Sequence, residues 1–427
     1  MPAELAGARV LVIGCVWPEP RSSAAGSHML QLLDVLLRAG CSITFACAAQ
    51  PGDTRADLTA LGITETAIAL NCSSFDTVVR ELDPAIVVFD RFMTEEQYGW
   101  RVAQACPQAL RVLETSDLHC LREARHTLLK QALARGETGV PQPSDDALFL
   151  AMAQHEVALR EIAAILRSDL SLMISPAEIE LLQQRFAVPP TQLVYCPFLL
   201  DAPDAAQWQP FTEREHVVTI GNFLHAPNRD AVQWLREAIW PLVRAQLPQA
   251  ELHIYGAYAP QQVREWHRER NGFLIKGWAD DALAVMAQAR LCLAPLRFGA
   301  GQKGKLVDAM LTGTPSVTTS VGAEGMHGTL PWPGAVADHA AAFAQATVQL
   351  YRDAASWQRA QQQCLPVLQA GFDRLVHGRA VIGKISRALA NVGAHRAPHF
   401  TGRMLLHHQH RSTEFMGRWI EAKNRNL

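Results

Sequence analysis

Nowhere does the sequence run to the ~18–20 consecutive apolar residues that a membrane-crossing helix needs, which excludes a spanning helix by hydropathy. The first apolar run, Arg9–Val16, is short, lacks a basic leader and meets Trp17-Pro-Glu-Pro20. It reads as a strand and not as a secretion signal. The nine cysteines contain no CxxC pair; scattered and mostly inside apolar runs, they read as buried free thiols in a reducing compartment. The expected location is therefore cytoplasmic. Neither sign of charge prevails: 39 basic and 41 acidic residues leave a net charge of −2, which gives no case for nucleic-acid binding by charge alone. Charged residues amount to 19% against 49% apolar, and that balance excludes a disordered chain. No GxGxxG follows the first strand, so the dinucleotide-binding fingerprint is absent.

What is present is alternation. At ~100–200 residues per domain, the 427 residues correspond to two domains as the first expectation. Arg9–Gly14 is a strand-type run followed by a loop and a helical pattern over Ser27–Ala39; Val217–Gly221, Asn222–Ala226 and Pro227–Ala245 repeat that plan. Further strand candidates in the first half are Ile43–Cys47, Ala67–Leu70, Ala85–Asp90, Leu110–Glu114, Leu170–Ile174 and Leu193–Cys196. In the second half they are Glu251–Tyr255, Phe273–Ile275, Leu291–Pro295 and Ser316–Thr319. Short strands separated by longer helical segments imply βαβ units and parallel sheets covered on both faces. The expected class is α/β, with two doubly wound Rossmann-like domains facing each other across a cleft. The aperiodic stretch Asp201–His216, with Pro203 and Pro210, marks the boundary. The expected units are 1–205, 206–392 and a basic tail, 393–427, helical and packed back on the first domain. Ligands of such sheets bind beyond the carboxyl ends of the strands.

The strongest local pattern is Leu293-Ala-Pro-Leu-Arg-Phe-Gly-Ala-Gly-Gln-Lys-Gly-Lys-Leu-Val-Asp308, a strand, a glycine loop and a helix expected to start near Gln302. Gly299 and Gly301 let the backbone approach a ligand, and the helix start turns free N–H groups and a positive dipole end toward the loop. Lys303 and Lys305 at that end oppose the dipole by a few tenths to ~1 kcal/mol, which makes sense when an anion such as a diphosphate fills the site. Asp308 lies on nearly the same helix face as Lys305, and its carboxylate suits the two hydroxyls of a ribose. Gly299-x-x-x-x-Gly304-Lys305 also begins a P-loop pattern, but Leu306 replaces the Ser or Thr that binds magnesium there.

This segment, together with Val217-Val-Thr-Ile-Gly-Asn222, Pro248–Gly256, Gly277-Trp278, Gly313-Thr-Pro315 and Gly322-Ala-Glu-Gly325, resembles the donor half of family 4 glycosyltransferases with the GT-B fold. The resemblance is specific over Val217–Met326; before it only the layout matches. It implies a transferase that moves a sugar from a UDP- or GDP-sugar to an acceptor hydroxyl with retention of configuration. No metal or other cofactor is implied, because the nucleotide sugar is itself a substrate. The implied donor contacts are Gly221, Asn222, Phe298, Gly299, Gly301, Lys303, Lys305, Asp308 and Glu324, with Lys303 and Lys305 on the diphosphate. The family often carries two glutamates; here Asp308 stands for the second and Ala300 for the first, so donor-sugar contacts fall to the Phe298–Gly301 backbone. A sugar-nucleotide epimerase on the same fold, or a catalytically silent relative that binds a nucleotide sugar or a partner transferase, are the alternatives.

On the acceptor side, the loop Trp17–His28 brings Gly26 and a helix start toward the diphosphate, with His28 beside it. Asp90 ends one strand, and Glu114-Thr-Ser-Asp-Leu-His119 offers Asp117 and His119 after the next. By resemblance His119 is the cleft histidine near the transferred sugar, and it joins Lys303 and Lys305 as the catalytic set. A plain helix cap by Ser116 or Asp117 explains the same acids without a ligand. From His395 onward six Lys/Arg oppose two acids, so the tail carries +4 and has the charge for peripheral contact with an anionic membrane. Phe415, Met416, Trp419 and Ile420 are its expected inward face. His407-His-Gln-His410 has no Cys or carboxylate pair to complete a metal site. The acceptor itself, whether saccharide, lipid, small molecule or protein, has no signature.

Overall fold

The computed structural model describes residues 4–425, and of residues 408–411 only the backbone. The side chains of His408, Gln409 and His410 in the histidine run, and of Arg411, therefore lie outside the described residues. Seven strands form the first sheet: β1 Arg9–Gly14, β2 Ser42–Cys47, β3 Thr64–Ala67, β4 Ile86–Asp90, β5 Leu110–Glu114, β6 Leu170–Met173 and β7 Leu193–Tyr195. Six form the second: β8 Val217–Ile220, β9 Leu252–Tyr255, β10 Phe273–Gly277, β11 Leu291–Ala294, β12 Ser316–Thr318 and β13 Gly334–Val336. All neighbours are parallel, in the orders β3-β2-β1-β4-β5-β6-β7 and β10-β9-β8-β11-β12-β13. Helices cover both faces of each sheet, so the central strands β4, β5 and β11 are buried along their whole length.

Two strands depart from expectation. β3 lies at Thr64–Ala67 rather than Ala67–Leu70, because an edge strand with one neighbour tolerates the half-exposed Glu65 and Thr66. β13 carries no strand-like apolar run of its own; Gly334 adopts φ +145°, and a Cβ there would lie 1.9 Å from the Ser316 carbonyl oxygen. In both sheets the strand order reverses between the first and fourth strands, β1/β4 and β8/β11. Crevices open at such switch points, and the loops that follow these four strands line them.

The linker packs onto the second unit: the Trp208 indole N–H donates to the Leu311 carbonyl (2.9 Å), and Arg214 is buried among the carbonyls of Gln209, Ala289 and Thr312. The chain returns at Phe372, whose carbonyl accepts from Leu200 N–H (2.8 Å). From there the helix Arg374–Ala390 places Val381, Ile382, Ile385 and Ala388 in one core with Val10, Val12, Ile43 and Val88. The expected unit 206–392 is corrected accordingly: its last residues complete the core of the first sheet, because that apolar stripe fits the open face beside the helix Ala24–Arg38.

The helix Phe400–Arg425 lies against helices Arg91–Ala105 and Glu156–Arg167 of the first domain. Its expected apolar face is inverted. Phe415, Met416 and Trp419 are exposed, and Ile420 is half-buried. Gly402 and Gly417 turn inward instead: a Cβ at Gly402 would lie 1.9 Å from the Leu166 carbonyl oxygen, and at Gly417 3.4 Å from the Trp100 ring. Truncation of Ile385 to Ala tests the return crossing. It is expected to lower the stability of the folded chain by about 2–4 kcal/mol in a denaturant melt; a change below about 0.5 kcal/mol, as for a surface site, contradicts that packing.

Candidate functional site

The helix Gly304–Leu311 begins where β11 and its loop end, with Lys303 as N-cap residue and no side chain capping it. Opposite it starts the helix Ala24–Arg38 of the first domain, capped by Ser23, whose hydroxyl accepts from Gly26 N–H (3.1 Å). The two starts meet: a Cβ placed on Gly304 would lie 2.7 Å from the Ala24 Cβ. Two positive dipole ends, one from each domain, thus face the same point of the cleft. Gly26 is spent locally, since a Cβ there would strike the Glu19 backbone at 2.6 Å.

Lys305 donates from Nζ to Asn228 Oδ1 (2.7 Å), and Asn228 Nδ2 donates to the Asn222 carbonyl (2.8 Å). Asn222 in turn reaches the first domain, its Nδ2 donating to the Ser22 carbonyl (3.3 Å). Gly221 is required at the same place, because a Cβ would lie 2.7 Å from the Asn228 side chain. The Lys303 ammonium is buried and donates to the carbonyls of Ala300 (3.2 Å) and Gly301. Burial pushes the pKa of both lysines down to about 8. Asp308 is half-buried and its carboxyl is pushed up to about 7, again by burial. Its backbone carbonyl, not its carboxylate, is taken up by Thr312 (3.0 Å).

The glycine loop is clamped by the first domain. Gly299 (φ +151°) gives its carbonyl to Arg125 (2.8 Å), which also holds Glu324 through two bonds of 2.6 and 2.9 Å. Burial disfavours the Glu324 charge, but Arg125 outweighs it and lowers the pKa. Glu324 is therefore tied up in an interdomain ion pair. Phe298 is buried with its ring stacked on His126 at 4.4 Å, which leaves its backbone for a ligand. Gly301 (φ +66°) packs against Asp117, where a Cβ would lie 2.8 Å from the Asp117 Cβ, and its N–H donates to Glu178 Oε1 (2.6 Å).

Among the acceptor-side residues, Asp117 and His119 come together, with His119 Nε2 3.3 Å from Asp117 Oδ1. Burial opposes the Asp117 charge, yet Arg122 and His119 hold its pKa well below the usual carboxylate range. The helix His119–Ala134 is not capped by Ser116 or Asp117 as the plain reading has it. The Glu161 carboxylate does this from another helix, accepting from His119 N–H (2.9 Å) and Cys120 N–H (2.8 Å). Asp90 stays behind, accepting from Cys15 N–H (2.9 Å). Positive φ at Arg91 (69°) and Ser116 (56°), just after β4 and β5, marks the strained backbone common at binding sites. His28 is neither on the surface nor in the cleft. It is buried, with Nε2 3.0 Å from the Cys196 carbonyl and Nδ1 3.2 Å from Glu114 Oε1, so a core polar contact and not an acceptor explains it.

Sequence reasoning misses four groups here: Arg125, Glu161, Glu178 and His225. Glu178 is fully buried, and its Oε2 has no hydrogen-bond partner among the described residues. Burial and the Asp117 charge push its carboxyl up to about 8. His225, beside Asn222, is pushed down to about 4 by loss of water in the cleft, and feels Asp117 and Arg122 from one domain and Lys303 and Lys305 from the other. Beyond Gly221 a cavity of about 510 Å³ opens at the carboxyl ends of β9 and β10, lined by Gly256, Tyr258, Arg264, His267, Lys276 and Trp278 among others. A Cβ on Gly256 would lie 2.1 Å from the Gly221 carbonyl oxygen, so this cavity adjoins the Gly221–Asn222 loop.

Residues 214–353 match the family described as Glycosyl transferases group 1. No curated protein matches the chain. Among solved structures, sucrose-phosphate synthase from Thermosynechococcus elongatus superposes with a TM-score of 0.62 at 15% identity, covering 90% of this chain and 100% of that one. A glycosyltransferase from Rickettsia africae gives 0.61 at 10% identity, covering 90% and 99%. Anabaena HepE, solved with UDP and glucose, gives 0.60 at 13% identity, covering 88% and 99%. At these identities the superpositions speak for the fold, and the family match speaks for the second half. With two doubly wound sheets meeting at their switch points, the chain has the GT-B fold, and its residues 214–353 match the model of the group 1 glycosyltransferases.

Proposed function

We propose that the protein transfers a sugar from a nucleoside-diphosphate donor to an acceptor hydroxyl, with retention of configuration and without a metal ion. The observation that carries this reading is the meeting of two helix N-termini beside Lys303 and Lys305. That arrangement fits a diphosphate, the most highly charged part of such a donor. Asp308 would accept from the ribose hydroxyls, and the 510 Å³ cavity with its exposed Trp278 and Tyr258 would take the base. The Phe298–Gly301 backbone and His119, oriented by Asp117, would bound the sugar from the two sides.

In the reaction the bond from the anomeric carbon to the diphosphate oxygen breaks, and the acceptor oxygen bonds that carbon from the same face. The acceptor proton passes to the departing phosphate oxygen. No protein nucleophile is needed in this scheme; the burden is the negative charge that develops on the leaving group, which the two lysines and the helix ends are placed to stabilise. With pKa values of about 8, a good fraction of each lysine is cationic near neutrality.

Replacement of Lys305 by Ala is expected to reduce nucleoside-diphosphate release from UDP- or GDP-sugar by about 10²–10³-fold with the fold intact, the loss typical of one such donor. Near-normal turnover, or wild-type turnover that EDTA abolishes, contradicts the assignment. UDP affinity should also pass through a maximum between about pH 7 and 8. Below it Asp308 (about 7) takes up a proton and loses acceptor strength; above it the lysines (about 8) lose theirs and their charge. The expected fall is about tenfold between about pH 8 and 9.5 by calorimetry; affinity unchanged over that range would remove the lysines from the site.

A further inference from the structure

The helix Phe400–Arg425 shows solvent a face that none of the roles described so far uses. At 3.6 residues per turn, Met404, Phe415, Trp419 and Ala422 fall within about 60° of its circumference. All four are exposed, Phe415 by 65% and Trp419 by 60%. Cations flank this stripe on both sides, Arg418 on one and Lys423 on the other, with Lys423 Nζ 5.4 Å from the Trp419 ring centroid. Phe400, 70% exposed, prolongs the same side toward the helix start.

The acids of the helix are turned the other way. Glu414 accepts from Gln104 (2.8 Å) and Glu421 from Ser73 (2.6 Å), and their side chains are only 14% and 13% exposed. Gly402 and Gly417 complete that docked side by close backbone approach. The helix is therefore held to the first domain by its small and acidic residues and by Arg425, which donates to Ser73 (3.1 Å). Its largest apolar side chains and Lys423 point away, and Arg418, exposed, leans back to pair with Glu414 (2.5 Å). A helix that needed only to close the domain would bury Phe415 and Trp419, each of which removes far more apolar area from water than a glycine does.

We propose that this face is a membrane-docking surface that rests on the anionic headgroup layer of a bilayer, with Met404, Phe415 and Trp419 entering the interface and Arg418 and Lys423 meeting lipid phosphates. An apolar stripe flanked by cations is the pattern of a helix that lies in the plane of the interface, and the sidedness of charge selects an anionic surface over a neutral one. No described helix is long and apolar enough to cross a membrane, so the contact is peripheral. Docking here would hold the acceptor-side domain against the bilayer, and it stands whether or not the donor assignment above is right.

The full chain is to be sedimented with phosphatidylcholine vesicles and with vesicles containing about 30% phosphatidylglycerol. Binding to the anionic vesicles alone is expected, weakened by raised salt. It should fall by about tenfold or more in Phe415→Ser/Trp419→Ser and again in Arg418→Glu/Lys423→Glu. These side chains are exposed, so circular dichroism and the melting midpoint should stay at the parent values. Absence of binding to anionic vesicles, equal binding to neutral ones, or a concentration-dependent dimer of the free chain that Phe415→Ser/Trp419→Ser abolishes would each overturn the proposal.

Discussion

Two helices that point their N-termini at one another hold like partial charges, roughly half an elementary charge each, in contact. The fold imposes that juxtaposition here, because each helix follows a strand at the edge of its own sheet's switch point and the two sheets meet carboxyl end to carboxyl end. Lys303 and Lys305 add two further cations at the same place. The nearby carboxylates Glu324 and Asp117 favour the Lys303 charge but are shared with cations of their own, Arg125 and Arg122. The two helix ends and the lysines still point at one place, which an anion with several oxygens would bridge.

The loops that would hold such an anion are also the loops that join the domains. Gly299 and Gly301 reach Arg125 and Glu178, Asn222 reaches Ser22, and Phe298 stacks on His126. Ligand affinity and interdomain packing therefore draw on the same backbone. Lys303 makes the point at the level of one group, since its ammonium donates to carbonyls of its own loop and would exchange these for phosphate oxygens.

Much of this is legible in the sequence, and the failures have definite causes. The glycine loop, the lysine pair and the strand–helix alternation are written in consecutive residues, so their positions follow from local spacing. Glu178 and Arg125 are not: each sits on an ordinary helix, and its shortest contacts form only with the other domain. His28 looks like a loop residue by its neighbours, yet it is the start of β7's following loop that encloses it. Strand β13 is too short to have a period. The last helix misleads for a sharper reason, because hydropathy assigns Phe415 and Trp419 inward, whereas Gly402 and Gly417, which hydropathy ignores, decide which face can approach.

The central claim is that the two helix ends share one anion, and Ala24→Glu tests it from the domain that carries no lysine of the pair. A carboxylate in the first turn favours its own helix by about 0.3–1 kcal/mol, so the melting temperature should hold or rise. The same charge would stand where the diphosphate is to bind. Calorimetric titration with UDP in the absence of added metal should show binding to the parent chain and none to this variant. Undiminished UDP binding by Ala24→Glu, or a parent chain that ignores UDP and GDP alike, would contradict the account.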